Sequence, residues 1–442
     1  MIKTVKFGGR SLASARQFQK VRAILQADPA RRYIVPSAPG KRTAEDIKVT
    51  DLLYRWHELI RTGQDAAPVE RQIRERYEEI LQGLGLAMDL SGEFDLIRSH
   101  LHEGWGRDYA ASRGEYLNGL VMAAYLELPF VDAAEVVLFD AQGAFLPEQT
   151  NAALKARLST LPAAVIPGFY GAQPDGTVKT FSRGGSDITG ALVARAVDAD
   201  LYENFTDVSG FLLADPRIVE DPVSIGVITY RELHELARMG ACVLHEDAIY
   251  PVREAGIPIN IRNTNSPEDT GTLIVSSAAQ QPSHEITGIA GKKGYCTLSV
   301  RKPGYDTIQE LEERVLAILK QYAIPCESIP TSPDSISVLV SQTAYYQKEF
   351  EVLAQINASV HPDAIYLDTD LALVAIGSRG RQSRDHIVSS VFEALSAVQL
   401  HIRTMDQGMK GLAMVIGVAD RDFEPAIRAI YDKFIQDDAA QP

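Results

Sequence analysis

The stretch Met1–Val35, MIKTVKFGGRSLASARQFQKVRAILQADPARRYIV, decides the reading of the fold. Thr4–Phe7 is a short apolar strand that breaks into Gly8-Gly9, Ala13–Gln26 carries apolar residues at helical spacing, and Tyr33–Val35 is a second strand. Strand, helix and strand in that order make a βαβ unit, and a right-handed crossover makes it the expected edge of an α/β sandwich. Downstream the alternation continues. Helical stretches are expected at Arg55–Leu84 and Tyr116–Leu126, strands near Phe130–Asp132 and Ala163–Pro167, a helix at Ile188–Val197, and strands near Leu201–Phe205 and Pro258–Arg262. One large α/β domain accounts for all of it. From Asn263 to Ser283 the chain reads NTNSPEDTGTLIVSSAAQQPS, polar and rich in small residues around one apolar strand, which marks a boundary. The expected domains are therefore residues 1–282 and 283–442.

The second part repeats itself at an offset of 76 residues: the helix pattern Thr307–Tyr322 recurs at Ser383–Val398, and the strand Asp334–Ser341 recurs at Lys410–Gly417. Each copy runs strand, helix, strand, turn, strand, helix, so two ferredoxin-like βαββαβ modules are expected. Such modules leave a sheet edge to cover, which favours pairing of the copies and then dimerisation.

Composition narrows the function classes. The 442 residues suggest about three domains at roughly 150 residues each. With 45% hydrophobic and 23% charged residues the chain is an ordinary globular protein. A net charge of −14 argues against nucleic-acid or anionic-membrane partners, while leaving room for a local basic pocket. Cys242, Cys296 and Cys326 lie far apart with no metal-type spacing, so neither a disulfide framework nor a zinc site is indicated. No apolar run reaches about 18 residues and no signal-like N-terminus is read, so a cytoplasmic location is expected.

Three stretches have residue types suited to phosphate chemistry. Lys6-Phe7-Gly8-Gly9 brings a lysine and two glycines to a helix start, where backbone N–H groups, helix dipole and ammonium together suit a triphosphate. A Gly-Gly turn is also an ordinary strand-to-helix connection. Phe181-Ser182-Arg183-Gly184-Gly185-Ser186-Asp187 opens another helix. There Asp187 either caps the helix or orients Lys6, while Arg183 can fork onto a carboxylate. Thr206-Asp207 and Asp215-Pro216-Arg217 follow a strand, where open α/β sheets hold nucleotides and where Asp-Pro turns are also common.

In chain order, KFGG (6–9), SAPG (37–40), KVTDLLY (48–54), RGEYLN (113–118), FSRGGSDITGALVA (181–194), TDVSG (206–210), ADPRIV (214–219), MGACVLHEDAI (239–249) and NIRNTN (260–265) resemble aspartate kinase, of the amino-acid kinase superfamily. The resemblance spans essentially the whole chain. It implies a three-layer α/β/α kinase sandwich followed by two ACT domains, the 76-residue repeat being those two. It also implies transfer of the ATP γ-phosphoryl group to the β-carboxylate of L-aspartate, the first step of the aspartate-family amino-acid pathway, in a cytoplasmic homodimer under allosteric control. On the matching positions, Lys6, Gly8, Gly9, Gly184 and Gly185 would hold the transferring phosphate, Asp187 would position Lys6, and Ser37 would lie near the phosphoryl group. Thr50, Glu115, Arg183 and Ser186 would grip the amino acid, and Thr206, Asp207 and Arg217 the nucleotide. Mg²⁺ would ride on the ATP phosphates rather than in a carboxylate cage.

Departures from the family pattern are equally informative. Arg10 stands where a small hydroxyl residue is usual, so it is drift with the guanidinium turned to solvent, the mark of a changed acceptor, or damage to the site. Cys242 stands where many members have a nucleotide-contacting lysine and others a small residue, and its expected role is that of a small hydrophobe in the core. In the second module Met409, Gly411 and Ala413 replace polar groups that would meet an amino-acid effector, so weak or absent inhibition by lysine and threonine is expected. Two other functions remain open from the sequence: a paralogue acting on another amino-acid carboxylate, and a catalytically weak amino-acid-binding regulator.

Overall fold

The strand Lys3–Phe7 (β1) lies in the middle of a seven-stranded sheet, not at its edge. After the first crossover the chain returns on the other side of β1, which turns the opening βαβ unit into a topological switch point. The protein is described here by a computed structural model covering residues 1–182, 184–240, 246–277, 284–303, 308–328, 331–332, 334–378, 384–407 and 414–440. They group into two units. The first comprises Met1–Phe211, Ser224–Arg231 and Val243–Ala279, and the second Leu212–Val223, Glu232–Cys242 and Gln280–Pro442.

In the first unit the sheet adds Arg31–Pro36 (β2), Ala164–Val165 (β3), Leu201–Thr206 (β4), Val227–Thr229 (β5), Ile259–Asn263 (β6) and Thr272–Val275 (β7), in the order β3-β2-β1-β4-β6-β7-β5. From β3 to β6 all neighbours are parallel, and β7 runs antiparallel to β6. The parallel strands β1, β2 and β4 are buried along most of their length, as strands covered on both faces are. Buried Glu203 on β4 gathers Arg31 of β2 at 2.6 Å, Arg262 of β6 at 3.2 Å and Lys3 of β1 at 3.6 Å, so its charge is compensated inside the sheet.

Helices Ala15–Gln26 (α1), Val49–Arg61 (α2), Ala67–Leu84 (α3), Ser91–His102 (α4), Arg107–Leu126 (α5) and Gly185–Ala196 (α6) belong to the same unit. The single helix expected over Arg55–Leu84 is two, α2 and α3. Gly63 takes φ 68°, a left-handed conformation, and Pro68 sits in the first turn of α3, so the chain breaks between them. Helix α5 starts nine residues before the expected Tyr116, since Ser112, Arg113, Glu115 and Asn118 are buried and hide the apolar period. Phe130–Asp132 is an isolated bridge to Val165 rather than a strand, and Asp132 caps a short helix by accepting from the Ala134 N–H.

The second unit has two long strands, Ile286–Arg301 (β8) and Ala364–Ser378 (β11), paired antiparallel along their length and flanked by Cys326–Ser328 (β9), Ser335–Ser341 (β10), Thr404–Gln407 (β12) and Met414–Ala419 (β13). Helices Ile308–Gln321 (α7) and Arg384–Ala397 (α9) lie 76 residues apart, and Glu349–Val360 (α8) corresponds to Phe423–Ala440 (α10). The first module closes with the N-terminal half of β11. The first half of β8, Ile286–Lys292, pairs antiparallel with Leu373–Ser378 and so completes the sheet of the second module. Register shifts between Lys292 and Tyr295 separate the two halves of β8, so each long strand serves both ferredoxin-like modules. Among the described residues no helix is long and apolar enough to cross a membrane.

Candidate active site

The C-terminal ends of β1, β2 and β4 lie side by side, and the chain leaving them carries most of the residues singled out in the sequence. Lys6 on β1 and Asn204 on β4 are register partners, which directs both side chains to one face. Lys6 Nζ donates to Asn204 Oδ1 at 3.3 Å and lies 2.6 Å from Asp187 Oδ1, while Asn204 Nδ2 donates to the same carboxylate oxygen at 2.8 Å. The three groups close a ring. The Lys6 side chain is only 10% exposed, so its charge is weakly screened and acts strongly on any anion that reaches it. Asp187 does not cap its helix. Gly184 holds the N-cap position and Asp187 lies in the first turn of α6, where its N–H donates to the Gly184 carbonyl.

Two loops form the floor. The Gly8 N–H donates to the Phe205 carbonyl at 2.9 Å, the Ser37 N–H to the Phe7 carbonyl at 3.0 Å, and the Gly40 N–H to the Gly9 carbonyl at 2.8 Å. A Cβ on Gly40 would fall 2.6 Å from the Gly9 carbonyl carbon, so the loops touch backbone to backbone only because both residues are glycine. A Cβ on Gly8 would stand 3.5 Å from the Phe205 carbonyl oxygen and 3.6 Å from Lys6 Nζ, so the bare glycine keeps the backbone open beside the ammonium. Gly185 and buried Ser186 follow Gly184 into the first turn of α6.

Helix α5 supplies the opposite chemistry. Gly114 lets it approach the second loop, since a Cβ there would meet the Ala38 Cβ at 2.8 Å, and Tyr77 Oη fastens the Gly114 carbonyl at 2.8 Å. This sets buried Glu115 beneath the loop. Burial pushes its carboxyl up to about 8, against hydrogen bonds from the Ala38 and Glu115 N–H groups that favour the ionised form. Glu115 Oε2 has no partner. One turn on, Asn118 Nδ2 donates to the Ser37 carbonyl at 2.6 Å and leaves its Oδ1 without a donor. Two buried acceptors on one helix face, one of them a carboxylate, fit a cationic donor such as an ammonium group. Thr50 is half-buried in the first turn of α2, whose Val49 N–H donates to the Pro39 carbonyl at 3.2 Å.

At the end of β4, Thr206 Oγ1 donates to Asp207 Oδ1 at 3.1 Å, and the Arg10 guanidinium pairs with Asp207 Oδ2. The Arg10 side chain is 66% exposed and is held by this ion pair. Burial raises the Asp207 pKa, but the hydrogen bonds from Arg10, its own backbone and Thr206 outweigh that and hold it below the usual carboxylate range. Arg217 belongs to the second unit, where it pairs with Asp215 at 2.6 Å. Arg183, Cys242, Met409, Gly411 and Ala413 lie outside the described residues. Asn204 and Asn118 escaped the sequence reading. The signal for Asn204 was the polar pair Glu203-Asn204 inside the buried strand LYENFT, and for Asn118 its place one helical turn after Glu115. Among the described residues no group of three or more His, Cys, Asp or Glu side chains could hold a metal ion.

Residues 1–263 match the Amino acid kinase family. The chain is 35% identical to Aspartokinase 3 of Bacillus subtilis, over 98% of each sequence. It is 26% identical to the chloroplastic Aspartokinase 1 of Arabidopsis thaliana, over 98% of this chain and 80% of that one. Among solved structures, Clostridium acetobutylicum aspartate kinase superposes with a TM-score of 0.92 at 44% identity, covering 98% of this chain and 100% of the other. Escherichia coli aspartokinase III in complex with aspartate and ADP shares the fold, with a TM-score of 0.74 at 22% identity over 98% of this chain and 100% of that one.

Proposed function

The chain belongs to the amino acid kinase family and to the aspartokinases within it, and we propose which of its residues carry out the ATP-dependent phosphorylation of L-aspartate. A β-carboxylate oxygen of aspartate bonds to the γ-phosphorus of ATP, the bridging P–O bond breaks, and 4-phospho-L-aspartate and ADP leave. With a reference pKa of about 4 the acceptor carboxylate is already ionised near neutral pH, so the protein must align two anions and offset their repulsion rather than remove a proton.

Lys6 offsets the charge on the transferring group, and Asp187 with Asn204 fixes the direction of its ammonium. The glycines at 8–9 and 184–185 bring backbone N–H groups to the phosphates, with Ser37 at the acceptor side. Glu115 and Asn118 take the substrate ammonium, Arg183 its α-carboxylate, and Thr50 and Ser186 complete the grip. Thr206 and Asp207 hold the nucleotide. Mg²⁺ carried on the ATP phosphates would supply further charge neutralisation there. The single observation that carries the assignment is the pair of donorless buried acceptors, Glu115 Oε2 and Asn118 Oδ1, which an amino-acid ammonium satisfies.

Residues 283–442 act as two ACT-type modules that join two copies of the chain. The protein works in the cytoplasm and feeds lysine and threonine biosynthesis, with little feedback from either amino acid because Met409, Gly411 and Ala413 offer no polar group to an effector. ADP release with L-aspartate as acceptor tests the catalytic assignment. Turnover that requires aspartate, ATP and a divalent ion and falls to background in Lys6→Met is expected; ADP release indifferent to aspartate overturns it.

A further inference from the structure

Helix α3 carries none of the residues assigned above to substrate or nucleotide, yet two consecutive residues in its middle, Arg76 and Tyr77, are buried, the first 4% exposed and the second not at all. A buried arginine costs stability unless it is paired. Arg76 Nη2 donates to both Asp46 carboxylate oxygens at 2.6 Å, and Nη1 donates to the Gly40 carbonyl at 3.0 Å. Gly40 is the residue whose N–H donates to the Gly9 carbonyl, so Arg76 grips the point where the two glycine loops meet. The next side chain, Tyr77, donates from Oη to the Gly114 carbonyl at 2.8 Å, one residue before Glu115. Between Gly40 and Thr50 the chain forms a closed loop: the Val49 N–H donates to the Pro39 carbonyl at 3.2 Å, and the Arg42 N–H and Nε both donate to Asp46 Oδ2, at 2.9 and 3.0 Å. Arg42 also reaches Glu79, one turn along α3 from Arg76, at 2.6 Å. Burial alone would raise the Asp46 carboxyl, but the hydrogen bonds from Arg42 and the charges of Arg76 and Arg42 hold it well below the usual carboxylate range, so the pair with Arg76 stays ionised near neutral pH.

We propose that α3 aligns the two halves of the site, with Arg76 the positioning residue for the paired glycine loops and Tyr77 the positioning residue for Glu115. The inference rests on the phosphoryl-transfer reading above. Holding the fold together would need only the pair between Arg76 and Asp46. The further donor, directed at the backbone of Gly40, fixes the loop on the phosphate side, while Tyr77 fixes the helix on the ammonium side from the same turn of α3. Transfer between two anions depends on their alignment, and a misplacement of about 1 Å can cost on the order of a hundredfold in rate. A single rigid helix that sets both loop and ammonium site keeps that distance constant.

Steady-state kinetics on the full chain, with both substrates varied, separates the two roles. Arg76→Lys keeps a charge against Asp46 without the fork that reaches two acceptors, so kcat should fall by about tenfold or more while KM for aspartate stays within about threefold. Arg76→Met should lose more. Tyr77→Phe should instead raise KM for aspartate by about fivefold or more with kcat nearly kept. Arg42→Ala, which loses contacts to Asp46 but none to Gly40, should turn over at close to the wild-type rate. Amide hydrogen exchange reads the same contacts without turnover: residues 37–48 should exchange faster in Arg76→Lys and residues 113–116 in Tyr77→Phe, each variant leaving the other segment unchanged. If Arg76→Met does not fold, the lysine variant decides. Unchanged kcat and unchanged exchange at 37–48 in Arg76→Lys overturn the proposal, as do kcat, KM and melting temperature moving together in both the Arg76 and Tyr77 variants. A wild-type chain without aspartate-dependent ADP release would fail the phosphoryl-transfer reading instead, and the exchange result would still decide the positioning.

Discussion

The Lys6 ammonium and the Asp187 carboxylate stand 2.6 Å apart, and Asn204 donates to the same carboxylate oxygen. The lysine is therefore not a free surface cation but a charge whose direction is set from two other elements, β4 and α6.

Asp187→Asn keeps the shape and removes the charge that orients Lys6. If Lys6 acts chiefly in the transition state, kcat falls by about a hundredfold or more while KM for aspartate changes much less. Steady-state kinetics with both substrates varied distinguishes this from a structural role, in which KM and melting temperature would move together with kcat.

Glu115 gives the reaction a pH dependence. Its carboxyl, held near 8 by burial, carries a proton at neutral pH in the substrate-free protein, whereas the ammonium of aspartate needs the ionised form. Aspartate binding therefore releases a proton, and KM for aspartate rises as pH falls below about 8. In Glu115→Gln, KM is high and this dependence is absent. Stability runs in a linked direction: with the folded pKa above the unfolded value of about 4.3, the native state holds a proton the unfolded chain lacks. That contribution is full below the unfolded pKa and is lost as pH rises toward 8. Glu115→Gln should thus raise the melting temperature more at roughly pH 9 than at roughly pH 5.

Arg10→Ser tests the one departure from the family pattern inside the first glycine loop. The guanidinium is two-thirds exposed, so loss of its ion pair with Asp207 should change stability by less than about 1 kcal/mol. Preference for aspartate over glutamate should be unchanged, because Arg10 engages Asp207 rather than the acceptor side. A switch in acceptor preference would show that it had been shaping that pocket.

Much of this was legible in the sequence for identifiable reasons. The βαβ opening, the glycine loops and the 76-residue repeat are local patterns, and α7 and α9 keep that offset residue for residue. What stayed hidden depended on contacts between distant segments. The central place of β1 follows from where β4 returns, and the sharing of β8 and β11 between two modules appears only in the pairing of two strands far apart in the chain. Asn204 was concealed because it acts through register with Lys6, 198 residues away. The early start of α5 was masked by the same buried polar residues that make it interesting.

Gly40→Ala should damage both stability and activity. The added methyl would lie 2.6–2.8 Å from Gly9 and Arg10 backbone atoms, which leaves no flexible side chain to give way. A lower melting temperature together with reduced turnover is expected, and an unperturbed enzyme would show that the two glycine loops do not need to touch.

Lysine and threonine, alone or together at millimolar concentration, should leave the rate nearly unchanged in a direct assay. Strong inhibition by either would show that the second module builds its effector contacts from other residues than the positions of Met409, Gly411 and Ala413.

The most direct test of the central claim is the acyl phosphate itself, trapped with hydroxylamine as the hydroxamate. ATP- and Mg²⁺-dependent product should form faster with L-aspartate than with glutamate or related amino acids. Failure of aspartate while another carboxylic amino acid reacts would contradict the assignment of the acceptor, and no hydroxamate with any of them would contradict kinase chemistry at Lys6.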